Sequence, residues 1–329
     1  MDKQKVSVII PTYNSGRYIE EAVASVLNQT YTNYELLIVD DGSTDNTVEL
    51  LKKYKGRFRY YYQRNQGIVA ARNLALENST GEFVAFLDAD DLWLPEKLGV
   101  QMRVMREQPN LAFVYSCVYT IDESGKTIRY WDNKDEKIMD FNRLYDKNFI
   151  CCSSVLLRRS CLERSGRFDP RVKMSQDWDL WLRLAKNFNF KFINQFLAKY
   201  RIHPSNISTR YEDRIRAIFF ILSKPEISGD FSWLKRTIRR AIVYCRWGDY
   251  LYRQEDKRKA GFIYLRAALT FPFVGAYHFG PQSKKVSLAT LYKTLKLYFK
   301  IFSCFTFTRI LTKPLIYFHR FLKNLFGRN

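Results

Sequence analysis

"EFVAFLDADDLW", residues 82–93, places three carboxylates, Asp88, Asp90 and Asp91, directly after a run of strand-forming apolar residues. An ionised carboxylate beside a buried strand costs free energy unless a positive group compensates it. A Lys or Arg, a helix N-terminus or a bound cation can do so. Asp88 and Asp90 have one residue, Ala89, between them, so in extended backbone both side chains point the same way. Two such carboxylates repel unless a cation joins them, and hard oxygen donors with room for phosphate oxygens suit Mg2+ or Mn2+. A helix cap is the alternative, because "DDLWLPEKL" reads as a helix start.

The strand ending in these acids is the fourth of a series. "VSVII" (6–10) reads as a buried strand, followed by "SGRYIEEAVASVLNQTY" with apolar residues at helical spacing. "YELLIVD" is a strand and "TVELLKKYK" a helix; "FRYYYQRN" is a strand and "GIVAARNLALENSTG" a helix opening after Gly67. This alternation predicts right-handed crossovers and an α/β fold with a mainly parallel sheet, whose ligands bind beyond the carboxyl ends of the strands. "PTYN" (Pro11, Thr12, Tyr13, Asn14), "DDGS" (from Asp40 and Asp41) and "DADD" all fall at that edge. Turn chemistry accounts for the first two taken singly. Together, the Tyr13 ring and a neighbouring carboxylate form a seat on which a nucleobase can stack and donate N–H hydrogen bonds.

The chain has 329 residues, a formal net charge of +21 and 47% hydrophobic residues, enough apolar material for a folded core. Its six cysteines show no C-x-x-C pair, which suits reduced thiols in a cytoplasmic compartment. The first apolar run is five residues long and ends at Pro11, too short for a secretory signal. No G-x-G-x-x-G fingerprint, Walker A loop or nucleic-acid recognition motif is present.

From residue 111 to about 210 short strands surround one clear helix, "QDWDLWLRLAKN". Its Asp177 and Asp179 face different ways, while Trp178 and Trp181 share a face, one expected in the core and one bordering a cleft. "ICCSSVLLRR" reads as small residues in a tight strand. After residue 211 the pattern is nearly all helical, with one stretch resembling a single tetratricopeptide hairpin. From Lys257 to Asn329 there is no Asp or Glu. Lys300, Arg309, Lys313 and Pro314 interrupt the apolar runs of the tail, so no span of about 20 apolar residues exists. Its aromatics mixed with Lys and Arg suit an interfacial helix on an anionic membrane surface, or a helical subdomain packed with its basic face outward.

"SVIIPTYN", "LIVDDGSTDNT", "NQGIVAARNLAL", "FLDADDLW" and "SQDWDLWLRL", in this order, resemble family 2 glycosyltransferases of the GT-A fold over about residues 5–210. The resemblance implies an inverting transferase that moves sugar from a nucleotide-sugar (UDP-, GDP- or dTDP-linked) to a hydroxyl of a saccharide or lipid-linked acceptor, in cell-surface polysaccharide assembly. By position, Pro11, Thr12, Tyr13, Asn14, Asp40, Asp41, Asn65, Gly67 and Arg72 match the nucleotide site, and Asp88, Ala89 and Asp90 the D-x-D motif. His203 joins Asp88 and Asp90 as a ligand of Mn2+ or Mg2+. Asp177 matches the general base; Gln176 stands where the family has an acid, and with Trp178 it falls to the acceptor side. The implied organisation is a catalytic domain over 1–212, a helical region over 213–283 and a basic aromatic tail over 284–329, peripheral at the inner face of the cell membrane. The competing readings are a polyprenyl-phosphate sugar transferase, and a non-catalytic basic protein that binds membrane or nucleic acid.

Overall fold

Strand register sets where the site lies. β1 (Val6–Thr12) pairs in parallel with β2 (Tyr34–Asp40), Thr12 opposite Asp40, and β2 with β3 (Arg59–Tyr62), Asp40 opposite Tyr62. On its other side β1 pairs in parallel with β4 (Phe83–Phe86), Ile9 opposite Phe86. "PTYN", "DDGS" and "DADD" therefore meet along one sheet edge. These strands belong to a computed structural model that describes residues 4–132, 140–272, Val274, Leu297, Lys300, Ile301 and Cys304.

The sheet continues from β4 through β8 (Leu156–Arg158), β6 (Leu111–Ile121), β9 (Asn189–Arg201) and β5 (Leu92–Trp93), with β7 (Thr127–Trp131) added on β6. β6 and β9 are parallel, whereas β8 is antiparallel to both β4 and β6. The sheet is thus parallel where strands and helices alternate in the sequence and mixed beyond, an α/β arrangement with the expected parallel half. "ICCSSVLLRR" departs from its reading as a strand throughout: Cys152–Ser154 form a 3-10 turn before β8.

Apolar spacing explains the flanking helices. α1 (Ile19–Leu27) buries Ile19, Ala22, Val23 and Val26 on one face. They pack in one core with Val8 and Ile10 of β1, Ile38 of β2 and Ala85 of β4. Each buried Val or Ile contributes about 1.5–3 kcal/mol, enough to fix the helix to the sheet. α2 (Thr47–Leu51), α3 (Ile68–Asn78), α4 (Lys97–Glu107), α5 (Phe141–Asp146), α6 (Arg159–Ser165) and α7 (Gln176–Asn187) complete the first of two units, Met1–Arg210.

The second unit, Tyr211–Asn329, contains α8 (Tyr211–Ser223), α9 (Pro225–Ser228), α10 (Trp233–Arg253) and α11 (Lys257–Thr270). Ser232 and Asp256 cap α10 and α11 by accepting from the N–H groups of Lys235 and Lys259, both at 3.2 Å. Gly248 permits the close crossing of these two helices, because a Cβ there would lie 2.5 Å from the Tyr264 ring. Leu297, Ile301 and Cys304 are buried with Ala241, Cys245 and Tyr264, and Lys300 pairs with Asp249 at 2.5 Å. Within the tail assigned to 284–329, Leu297, Ile301 and Cys304 belong to the helical core, with Lys300 beside it. The rest of that segment lies outside the described residues. Among the described residues no helix is long and apolar enough to cross a membrane.

Glu35, at the start of β2, ties the amino-end edge together. It accepts from Ser7 Oγ (2.7 Å), the Thr80 N–H (2.6 Å) and Arg59 Nη1 (2.9 Å). Burial raises its pKa, but the N–H and hydroxyl of Thr80, the Ser7 hydroxyl and Lys5 outweigh that effect and hold it at about 2. A carboxyl depressed by folding stabilises above its unfolded pKa, and that contribution is lost as pH falls through the folded value. Glu35→Gln should cost about 1–3 kcal/mol near neutral pH. The gap to wild type in chemical denaturation should narrow as pH falls from 4.5 to about 2; a gap independent of pH would refute the ionic role.

Candidate active site

The loops after β1 and β2 are laced to each other. Asn14 adopts a left-handed conformation (φ 48°), tolerated by Asn better than by most residues. In it, Asn14 Oδ1 accepts from Thr44 N (2.7 Å) and the Asn14 N–H donates to Ser43 Oγ (2.9 Å). The Ser15 N–H donates to Thr47 Oγ1 at 2.9 Å, and the Gly16 N–H to Asp45 Oδ2 at 3.0 Å. Pro11 and Thr12 are buried, and Tyr13 is 47% exposed at the edge. Thr12 Oγ1 is buried without a partner.

The two adjacent aspartates divide their tasks. Asp40 is fully buried; one oxygen accepts from Ser43 N (2.8 Å) and the other from Tyr60 Oη (2.7 Å). Through these bonds Asp40 shapes the loop from inside. Asp41 accepts from Gln63 Nε2 (2.6 Å), Gln66 N (2.8 Å) and Gly67 N (2.8 Å), so it holds the loop that carries exposed Asn65. Gly67 stands at φ 91°, a conformation that favours glycine, and α3 starts from it.

Beyond β4 the expected extended backbone does not continue. Asp91 N donates to Asp88 O at 3.0 Å, closing a turn in which each acid meets a different partner. Asp88 accepts from Arg72 Nη2 at 2.5 Å. Asp90 Oδ2 lies 2.9 Å from His203 Nε2 and accepts from Asn206 Nδ2 at 3.0 Å. Asp91 is fully buried and accepts from Ser153 Oγ (2.5 Å) and the Arg201 N–H (2.9 Å). Burial, with Asp90 and Asp88 close by, pushes the Asp91 carboxyl well up. The Asp88 and Asp90 side chains keep 28% and 26% exposure, with the Ala89 methyl turned into the core between them. Among the described residues no group of three or more His, Cys, Asp or Glu side chains is already gathered around one metal position. Asp90 and His203 supply two adjoining donors.

Arg72 is 1% exposed, with its guanidinium carbon 5.9 and 5.3 Å from the ring centroids of Phe86 and Phe168. Besides its bond to Asp88, its Nε and Nη1 have no partner. Asp177 lies in the first turn of α7, two residues after Ser175, whose φ of 53° is left-handed and strained for a non-glycine residue. Asn148 Nδ2 approaches the Asp177 carboxylate at 3.4 Å. Burial raises the Asp177 pKa and the charge of Arg72 opposes it. Gln176 is half-buried. Both tryptophans of the helix lie inside: Trp178 is 2% exposed with its N–H on Leu144 O (2.8 Å), and Trp181 is 0% exposed. This corrects the expectation that one borders a cleft, because α7 packs between other elements on that face. Asp179 is buried on Arg183 at 3.1 Å.

Ser153 is the residue that sequence reading missed most plainly. Its hydroxyl holds Asp91 and accepts from the Asp88 N–H at 3.2 Å. Trp93 Nε1 binds Ser153 O (2.7 Å) and Gln101 Nε2 binds Ser154 O (2.7 Å). Fully buried Lys97, its pKa pulled to about 7 by burial, donates to Gln101 Oε1 at 2.7 Å beside them. Cys151 and Cys152 are buried free thiols, pushed well up by burial. Arg201, Asn206 and Asn148 were also missed, since each meets its acid across a long stretch of chain.

The Glycosyl transferase family 2 model matches residues 7–166. The chain is 36% identical over 238 residues to the UDP-Glc:alpha-D-GlcNAc-diphosphoundecaprenol beta-1,3-glucosyltransferase WfgD of Escherichia coli, covering 70% of this chain and 88% of that protein. Other relatives extend beyond the match: the chain covers 46% of an uncharacterized glycosyltransferase of Rickettsia felis and 33% of one of Rickettsia conorii. Among solved structures, S. aureus TarS 1-349 in complex with UDP-GlcNAc shares the fold, with a TM-score of 0.59, 20% identity and coverage of 92% and 81% of the two chains. The mannosyltransferase PcManGT from Pyrobaculum calidifontis, in complex with GDP-Man and Mn2+, does so with a TM-score of 0.56, 20% identity and coverage of 98% and 88%.

Ser153→Ala should leave the buried Asp91 carboxyl and the Asp88 N–H each short of a partner, lowering stability by about 1–3 kcal/mol in equilibrium denaturation. An unchanged midpoint would show that the turn does not depend on this hydroxyl.

Proposed function

The chain belongs to glycosyl transferase family 2, and on that premise we propose that it is an inverting enzyme that transfers sugar from a nucleotide-sugar to an acceptor hydroxyl. The carrying observation is that one buried guanidinium, Arg72, holds Asp88 and acts on the charge of Asp177. A group suited to the donor phosphates and a group suited to deprotonating the acceptor thus share one neighbourhood.

The donor's nucleobase would stack on Tyr13 above Pro11 and Thr12, with Asp41, Asn65 and Gly67 shaping the far wall. Arg72 keeps two N–H groups for an anion. The partly open Asp88 and Asp90, with the His203 imidazole on Asp90, match the donor set of Mn2+ or Mg2+, oxygen first with one nitrogen. Such an ion would neutralise the leaving diphosphate when bound. The same fold carries GDP-Man and Mn2+ in PcManGT.

Asp177 takes the proton of the acceptor hydroxyl as that oxygen bonds to the anomeric carbon. The bond from this carbon to the diphosphate oxygen breaks on the opposite face, and the nucleoside diphosphate leaves with its electron pair. One displacement with one base inverts the centre, so no covalent enzyme intermediate is required. WfgD's name pairs UDP-Glc with a beta-1,3 linkage, which is inversion for an α-linked donor, and its acceptor is carried on undecaprenol. A saccharide on such a lipid, in surface polysaccharide assembly, is the acceptor class we favour. A polyprenyl phosphate is already ionised and would leave Asp177 without a task. The acid-free sequence from Lys257 onward would suit a peripheral place at an anionic membrane face.

The nucleotide is to be found by thermal shift of the full chain with UDP-, GDP- and dTDP-sugars in Mn2+; no shift with any of them would oppose the donor reading. Asp90→Asn should abolish the metal dependence of that shift, since an amide carries no charge for the cation. Asp177→Asn should keep donor binding and lower kcat by a factor of about 10²–10⁴. Because the active base is the ionised form and burial raises its pKa, wild-type kcat should rise with pH through a value above the ordinary carboxylate range. Asp177→Asn should lose that limb; a variant retaining it would place the base elsewhere.

A further inference from the structure

Tyr18 occupies the N-cap position of α1 and is 7% exposed. Its ring centroid lies 5.1 Å from that of His203, and the guanidinium carbons of Arg201 and Arg17 stand 4.6 and 5.2 Å from it. The phenol oxygen is buried and has no hydrogen-bond partner. A phenol is un-ionised at neutral pH, so this hydroxyl has a proton to donate.

A buried phenol ordinarily finds a partner, and packing against His203 and Arg201 would be served equally by phenylalanine. The polar groups around it are already engaged. Arg201 donates to Asp90 O (2.9 Å), Glu123 O (3.1 Å) and Glu21 Oε2 (2.8 Å). His203 has Asp90 at Nε2 and Ser205 Oγ, at 2.8 Å, at Nδ1. Arg17 pairs with Glu123. What remains is a neutral donor, packed on the imidazole that contacts Asp90, which no group of the fold satisfies.

We propose that the Tyr18 hydroxyl donates a hydrogen bond to a diphosphate oxygen of the nucleotide seated against Asp90 and His203. This rests on the donor reading given above and adds to it a residue that discriminates diphosphate from shorter ligands.

The test uses the full chain and Tyr18→Phe, which keeps the ring and removes only the hydroxyl. Calorimetric titration in Mn2+ with UDP, GDP and dTDP identifies the nucleoside diphosphate that wild type binds, and the matching monophosphate serves as control. The variant should bind the diphosphate about tenfold more weakly and the monophosphate unchanged. Its Tm without ligand should be equal or higher, because a buried unpartnered group has been removed. Equal diphosphate affinity in the two proteins would overturn the proposal. So would a lowered Tm with parallel loss of both ligands, the signature of a structural role. Wild type that binds none of the three nucleotides would instead overturn the donor reading itself.

Discussion

Three carboxylates within four residues repel one another, and the first unit is arranged so that Asp88, Asp90 and Asp91 never have to share a partner. Asp88 goes to a guanidinium, Asp90 to an imidazole and an amide, and Asp91 to a hydroxyl and a backbone N–H. The consequences extend outward from that turn. Ser153 must be held where its hydroxyl reaches the Asp91 carboxylate and the Asp88 N–H, so the Cys152–Ser154 turn is clamped by Trp93 and Gln101, with Lys97 on the next carbonyl, Val155 O. Arg201 must end β9 beside Asp91, and its side chain then ties in Glu21 of α1. The mixed half of the sheet delivers these partners to the end of its parallel half.

The same unit keeps polar atoms that the fold does not satisfy. Thr12 Oγ1 at the end of β1, Tyr18 Oη at the start of α1, and Arg72 Nε and Nη1 in α3 are buried without partners. Buried polar groups are normally paired, so these atoms carry a cost in stability that the fold itself does not offset. The left-handed Ser175 before Asp177 fits the same pattern, since backbone strain collects where a side chain must be held in one direction.

The helical unit follows different rules. Its α10 and α11 approach closely at Gly248, and Asp249, Tyr264 and Lys300 form a polar knot in which Lys300 lies 3.2 Å from Tyr264 Oη. Lys300 reads in the sequence as a charge interrupting an apolar run. In three dimensions it pairs with Asp249 of α10, beside the buried Leu297, Ile301 and Cys304.

The sequence by itself determined the alternation of strands and helices, the meeting of three motifs at one sheet edge, and the family to which the chain belongs. It could do so because apolar periodicity and strand-end motifs are local, each legible within about ten residues. Through the resemblance it also pointed to Asp90, Asp177, Arg72 and His203 as members of one site. Only the tertiary structure decided which partners each acid of a cluster takes. Asp40 and Asp41 are identical in type and adjacent, and both are buried on different donors, whereas of Asp90 and Asp91 only Asp90 keeps partial exposure. That choice rests on Tyr60, Ser153, Arg201 and Asn206, which reach their acids from 20, 62, 110 and 116 residues away. Hydrogen bonds over such separations depend on where the sheet brings distant strands, and no local pattern encodes them.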